Sequence, residues 1–156
     1  MRNLIACIAV AGLTGCAMSS DLTLADEQRI EQEVQLATDS LLAASGRTDV
    51  DAAMAPYAEA MHADNGELMS RAELEEMYAA VYAGLDRIEF TPSVSNVQVL
   101  GPDAAVWVGQ ATYRGFAADT ITAQGQMALT LVWERDEGDW RVLHMHQSFV
   151  PPEAAG

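Results

Sequence analysis

The first half of the chain has the apolar spacing of amphipathic helices. From Asp26 to Ala44 the apolar residues recur every three or four positions, which is the period of an α-helix. Thr23 or Asp26 can cap its start, because short oxygen-bearing side chains bond free amides there. A short second helix begins at Asp49, and Pro56 ends it or lies in its last turn.

A turn and a third helix follow. Asn65-Gly66 is a strong turn signal and suits a small hairpin within residues 57–69. The segment from Ser70 to Glu73 (SRAE) has the form of a capping box, in which the two end side chains bond each other's backbone amides. It predicts a third helix that continues through Tyr82.

From Ile88 onward the apolar period changes to two, as in β-strands. Short turns separate the strand-like runs, which span about 88–99, 104–115, 119–134 and 139–149. Short connections of this kind join antiparallel neighbours. Helices first and strands second predict an α+β fold, with three N-terminal helices packed on one face of a curved antiparallel sheet.

Length and charge limit the class of protein. The 156 residues suit one domain, and 50% of them are hydrophobic, which permits a packed core. Acidic residues outnumber basic ones 23 to 8, every basic residue is Arg, and the formal net charge is −15. Such a surface repels phosphates, so we expect no nucleic-acid partner.

The first 15 residues have the pattern of a secretory signal peptide. Arg2 precedes an apolar run from Leu4 to Leu13, which is shorter than the roughly 20 residues of a membrane-spanning helix. The run ends in Leu-Thr-Gly-Cys, which resembles a bacterial lipobox. We therefore expect residues 1–15 to be removed and Cys16 to carry diacylglycerol and further acyl chains such as palmitate. The alternative is an ordinary secretory signal, cleaved nearby, with Cys16 incidental.

Lipidation would divide the chain and set its location. Residues 16–25 become the lipidated Cys and a tether, 26–150 the domain, and 151–156 a tail. Several acyl chains anchor a protein firmly to a membrane without a spanning helix. Ala17 after the Cys resembles lipoproteins sorted to the outer membrane, so we expect the domain to face the periplasm. Because Cys7 and Cys16 are the only cysteines, the domain has no disulfide.

The last predicted strand carries a motif, GDWRVLHMHQS at residues 138–148. With the order of elements, it resembles the nuclear transport factor 2-like superfamily, closest to the SnoaL-like branch and the association domain of calcium/calmodulin-dependent kinase. Those proteins often end in W-x-x-V-H-x-H-x-S. GRTDVDAAMAPYAEA (46–60) also resembles their second helix. The resemblance covers about 26–149 and implies a cone-shaped domain, whose sheet wraps around the long first helix and leaves a pocket at its open end.

The resemblance also implies a homodimer through the outer face of the sheet. The final strand supports this, because it is apolar at both parities: Trp140 and Val142 on one, and Leu143, Met145 and Phe149 on the other. A strand with two apolar faces is usually covered on both. In a one-sheet domain, a second subunit is a plausible second cover.

Three histidines and Asp64 are candidates for general acid–base chemistry. His144 and His146 share one face of a strand, and His62 lies two residues before Asp64. Some members of the resembled superfamily, such as ketosteroid isomerase, scytalone dehydratase and polyketide cyclases, move a proton with a pocket Asp or His. Three His could also hold zinc, but no spacing identifies a full ligand set, so we predict no metal and no cofactor.

Ligand binding without chemistry is a second hypothesis. A curved-sheet cone leaves an apolar cavity with a few polar groups, as in many small-molecule sites. The resemblance to the kinase association domain places Gln147 at the pocket, where that family often has Arg. Alternation does not decide which side of the last strand faces inward. The candidate lining residues are Tyr57, Tyr78, Tyr82, Trp107, Tyr113 and Gln147.

The sequence therefore favours a membrane-anchored lipoprotein that binds a small organic molecule or a protein partner in its cone. One alternative is a cofactor-independent isomerase, dehydratase or cyclase. Another is a structural dimerisation module, which predicts a filled cone without a cavity.

Overall fold

The computed structural model describes residues 22–150. The predicted signal peptide, Cys16, most of the tether and the tail 151–156 lie outside the described residues. The helices are α1 (Leu24–Gly46), α2 (Val50–Met54) and α3 (Arg71–Tyr82), and the strands are β1 (Met61–Asp64), β2 (Glu67–Ser70), β3 (Arg87–Gly101), β4 (Ala104–Ala117), β5 (Thr120–Asp136) and β6 (Asp139–Val150). This confirms the α+β class. No helix within the described range is long and apolar enough to cross a membrane.

Capping residues set where the longer helices begin. Thr23 and Asp26 form a capping box, so α1 starts at Leu24, two residues before its predicted start and inside the predicted tether. Ser70 and Glu73 form the second box and start α3 as the sequence predicts. In each box, side-chain oxygens accept hydrogen bonds from free backbone amides at the start of the helix. The first residue of each helix therefore depends on nearby residues alone.

The segment before α3 is a hairpin that joins the main sheet. Asn65 (φ 49°) and Gly66 (φ 89°) both adopt the left-handed conformation that a tight two-residue hairpin turn requires. The sheet has six strands in the order β2-β1-β6-β5-β4-β3. β1 lies parallel to β6, with Asp64 beside Gln147, while the other pairings are antiparallel. The prediction of a wholly antiparallel sheet is therefore wrong for the pairing of β1 with β6.

A β-bulge changes which residues of β6 face the interior. Val142 pairs with Trp133 and His144 with Val132, so Leu143 is the extra residue and is 41% exposed. Val142 is buried on one side of the bulge and Met145 on the other. Apolar residues of both parities thus face the same core, and the argument for a second cover from the apolar pattern does not hold.

The concave face of the sheet packs against α1. The buried side of the helix carries Ile30, Val34 and Leu41, and it meets Leu131, Trp133 and their neighbours in one core cluster. Polar side chains also connect the two layers: the Trp107 indole donates a 3.1 Å hydrogen bond to Gln35, and the Trp140 indole donates one of 3.1 Å to Glu33. These bonds fix the position of α1 along the strands.

Gly109 leaves room for the Trp107 ring. A Cβ at Gly109 would overlap three atoms of that ring. We therefore expect Gly109→Ala to lower the free energy of unfolding by about 1–3 kcal/mol, since the packed indole must shift. Urea titration measures this. Gly101→Ala is the control, because its Cβ would meet nothing within 4 Å. Equal stability of the two variants would contradict this account of Gly109.

Candidate functional site

A cavity of about 290 Å³ lies inside the cone, between α1, α3 and the concave face of the sheet. Its wall is mostly apolar, with aliphatic residues from both helices and the strands. Val81, at 49% exposure, stands at its solvent side. Six aromatic rings line it: Tyr57, Tyr78, Tyr82, Phe90, Tyr113 and Phe149.

Aromatic pairs stiffen two parts of this wall. Tyr78 and Tyr82, one helical turn apart on α3, stack with ring centroids 5.5 Å apart. Tyr113 on β4 meets Phe149 on β6 edge to face at 5.3 Å. The cavity therefore presents ring faces and edges from the helix side and from the sheet side.

Asp64 and Gln147 form the polar floor of the cavity. They are register partners in the parallel pairing of β1 and β6, and they are only 7% and 5% exposed. The Tyr78 hydroxyl lies 3.3 Å from Gln147 Oε1 and donates to it. Within residues 22–150 no group hydrogen-bonds Asp64 Oδ1 or Gln147 Nε2. Buried polar atoms are normally paired, so this floor is open to hydrogen bonds from a bound molecule.

Burial raises the pKa of Asp64 above its ordinary value of 3.8, because a carboxylate loses hydration there. The neighbouring Gln147 amide partly offsets the rise, although no hydrogen bond of ordinary geometry joins the two groups, and the negative charge of Glu67 adds to it. Neither an Arg nor a His is among the described residues that line the cavity. The carboxylate therefore has no cationic partner within the cavity.

The tyrosines at the floor remain neutral hydroxyls. Burial raises the pKa values of Tyr57, Tyr78 and Tyr82 above the ordinary value of 10.0, in each case mainly by desolvation of the phenolate. The Tyr57 hydroxyl donates to the Met145 sulfur at 3.4 Å, and the Tyr78 hydroxyl oxygen lies 3.5 Å from the same sulfur. These groups can donate hydrogen bonds or offer ring faces, but they do not supply charge.

His62 lies behind the cavity wall rather than in it. It is fully buried, and its Nδ1 accepts the Met145 backbone amide at 3.2 Å, which places the ring proton on Nε2. Burial lowers the pKa of His62 below 6.5, so the ring is neutral near physiological pH. It meets the Tyr57 ring edge on, with centroids 5.1 Å apart. These contacts support the wall and do not reach the cavity.

The other two histidines are on the opposite face of the sheet. The bulge at Leu143 turns Met145 and Gln147 inward, which turns His144 and His146 outward. His144 Nδ1 lies 2.8 Å from the Met61 carbonyl oxygen and donates to it, and His146 is exposed. None of the three candidate histidines therefore lines the cavity, and the acid–base role expected of them has no geometric basis there.

Most of the other sequence candidates do line the cavity. Tyr57, Tyr78, Tyr82, Tyr113 and Gln147 are all part of its wall. Trp107 is not, because it lies farther along β4, where its indole bonds α1 and its ring fills the space above Gly109. The expectation that Trp107 is a ligand contact therefore lacks support from its position.

The sequence analysis did not identify several lining residues. Asn65 lies at the cavity because two hydrogen bonds hold it on β6. Its backbone amide donates to the Gln147 backbone carbonyl at 3.0 Å, and its side-chain Oδ1 accepts from the Phe149 backbone amide at 2.8 Å. The Asn-Gly pair signalled the turn but not its docking on β6. Phe90, Met77 and Met127 also line the wall, and their apolar type alone could not separate them from core residues.

The raised pKa of Asp64 predicts how the stability of the folded protein depends on pH. Because the folded-state pKa is raised, the stabilising contribution of this group is complete below its ordinary value of 3.8 and is lost as pH rises through the folded-state value. We therefore expect Asp64→Asn to be more stable than the wild type near pH 7, by a margin that shrinks toward about pH 4. Thermal midpoints across this range measure the margin. Parallel pH curves for the two proteins would contradict the assignment.

Comparison with known proteins agrees with this fold. A family model described as a SnoaL-like domain matches residues 34–152. No curated protein matches the sequence.

Solved structures give the same fold at low identity. A candidate dehydratase of the NTF2-like family from Streptomyces avermitilis is 20% identical with a TM-score of 0.69, over 79% of this chain and 97% of that one. The association domain of CaMKII from C. elegans is 22% identical with a TM-score of 0.65, over 78% and 97%. An NTF2-like protein of unknown function from Pseudomonas putida is 20% identical with a TM-score of 0.67, over 78% and 87%. The chain belongs to the SnoaL-like family and has the nuclear transport factor 2-like fold.

Proposed function

We propose that this protein is a lipid-anchored envelope protein whose domain binds a small organic molecule inside the cone. The observation that carries the binding role is the cavity itself, with an apolar aromatic wall above a buried pair of polar groups that have free hydrogen-bonding atoms. Its volume of about 290 Å³ is at the lower end of ligand pockets, which hold about 300–1,000 Å³. A one-ring molecule suits this size, and a filled structural module would leave no such space.

The binding role is tested with a panel of one-ring compounds that are neutral, cationic or anionic, titrated by ligand-observed NMR against the full chain. At least one member should bind saturably. Val81→Trp places a large ring at the solvent side of the cavity and should weaken that binding about tenfold. Leu36→Trp is the control, because Leu36 is 66% exposed on α1 and is not part of the cavity wall. Absence of saturable binding, or equal effects of the two variants, would refute the proposal.

The lipid anchor is proposed from the sequence around Cys16. Cleavage before Cys16 would leave a segment of residues 17–22 between the acylated residue and Thr23, the cap of α1. Acyl chains there would hold the domain close to the membrane. The absence of Asp after the Cys favours the outer membrane, with the cavity facing the periplasm.

Labelling with a palmitate analogue tests the anchor. Cys16→Ser should lose the label and leave the membrane fraction, because the sulfur is the acceptor of the first lipid. Cys7→Ser is the matched control, since it lies within the apolar run and should keep both label and location. Label retained in Cys16→Ser would rule out this anchor.

A second candidate function is proton transfer without a cofactor, such as isomerisation or dehydration. The observation that favours it is Asp64, a buried carboxyl at the floor of an apolar cavity. Burial raises the pKa of this carboxyl. Such surroundings tune a carboxyl toward general acid–base work. The name of the Streptomyces avermitilis relative, a candidate dehydratase, is in line with this chemistry. In this version Asp64 replaces the histidines as the proton carrier, and a turnover that survives Asp64→Asn would exclude it.

We also propose a homodimer through the outer face of the sheet. The similarity to an association domain is in line with this. In a chain of net charge −15, the central outward positions of β3 to β6 carry no carboxylate. By strand register these positions are Val94, Asn96, Val106, Val108, Gln110, Thr112, Ala128, Thr130, Val132, His144, His146 and Ser148.

Sedimentation of dilute protein tests the dimer. Val108 is 40% exposed between Asn96 and Thr130 on this face. Val108→Glu should shift the protein to monomer, because a charge buried at the interface would lack a partner. Leu36→Glu, on α1, should leave the dimer intact. A wild type that sediments only as monomer would refute this proposal.

A further inference from the structure

We infer that the cavity takes an organic cation, a small protonated amine on an apolar body, whose ammonium group pairs with Asp64. This inference rests on the proposed binding function and names its ligand class. It is argued from the carboxylate, from the aromatic wall, and from the groups that would bind an anion.

The carboxylate of Asp64 lacks a counter-charge. Among the described residues no Arg or His lines the cavity, and Asp64 takes part in no ion pair. Arg71, on the neighbouring helix α3, is engaged by Glu75 at 3.1 Å and donates to the Tyr57 carbonyl at 3.1 Å. A buried, unpaired carboxylate is costly, and a cation supplied by a ligand would relieve that cost.

The aromatic wall suits the same charge. Ring faces carry negative potential and attract ammonium groups, so that cages of aromatic residues recognise organic amines. Tyr78 and Tyr82 supply stacked rings on one side, and Tyr113 and Phe149 supply an edge-to-face pair on the other. Tyr78 and Tyr82 stay neutral because burial raises the pKa values of their hydroxyls. The rest of the ligand would lie against these rings.

Anionic ligands meet unfavourable groups. Gln147 occupies the floor with a neutral amide, and its Oε1 already accepts from the Tyr78 hydroxyl at 3.3 Å. Its Nε2 stays free to bond Asp64 or a ligand acceptor, but it offers no positive charge. The net charge of −15 also attracts cations and repels anions over the whole surface. The negative charge at the floor of the cavity and the negative charge over the surface therefore both favour a cationic ligand.

Three matched probes test this inference: 2-phenylethylamine, 2-phenylethanol and 3-phenylpropanoate, which share a ring and differ in charge. Each is titrated against the full chain at neutral pH by ligand-observed NMR. The amine should bind about tenfold or more tightly than the alcohol, and the carboxylate should bind least. In Asp64→Asn the amine should lose this advantage while the alcohol binds as before. Asp39→Asn removes one charge from the exposed face of α1. It should leave the affinity of the amine relative to the alcohol, and relative to the carboxylate, unchanged.

The outcomes separate the inference from the function on which it rests. If the alcohol binds as tightly as the amine, or if Asp64→Asn keeps the preference for the amine, the cation inference is overturned and the binding function stands. If none of the probes binds, the inference is overturned, and the failure of the whole one-ring panel would overturn the binding function too. Unchanged alcohol binding by Asp64→Asn also shows that the variant is folded.

Discussion

The short parallel pairing of β1 with β6 is the contact on which the site depends. It joins Ala63 to His146 and Asp64 to Gln147, and Asn65 extends it with a bond to the Phe149 amide. This pairing brings an acidic residue from a hairpin to the floor of a cavity formed by the helices and the other strands. Without it, Asp64 would lie in a solvated turn. The polar floor is therefore a product of contacts between residues more than 80 positions apart in the chain.

This arrangement places two buried, unpaired polar atoms together at the floor of the cavity. Both capped helices satisfy their first amides locally, whereas six buried side-chain atoms lack hydrogen-bond partners among residues 22–150: Thr38 Oγ1, His62 Nε2, Asp64 Oδ1, Trp133 Nε1, Arg135 Nε and Gln147 Nε2. Of these, only Asp64 Oδ1 and Gln147 Nε2 belong to residues that line the cavity, and they lie side by side on β1 and β6. Proteins violate local rules most often at functional sites, where a group left unpaired in the free protein is kept for a ligand. Their shared location is therefore a stronger indication of function than any single residue.

The motif that relates the chain to its family marks the fold more than the chemistry. Trp140 and Val142 pack toward the core, while the two histidines of the same motif face outward across the bulge. The fold hosts many unrelated functions, so chemistry has to be argued from the side chains that reach the cavity. Here the polar ones are tyrosines, Ser45, two amides (Asn65 and Gln147) and one carboxyl, Asp64. That set differs from the histidine-based chemistry that the motif suggests.

The sequence by itself determined the helices, their caps, the strand runs and the Asn65-Gly66 turn, because each depends on neighbours within a few residues. It also determined the family, through the terminal motif. The tertiary structure decided the rest: the bulge at Leu143, the docking of the hairpin on β6, and the placement of Asp64 and Gln147 at the cavity. Side-chain alternation has a period of two, so one extra residue reverses the face of every later position. Nothing local in the sequence signals that residue, and only packing against the core shows where it lies.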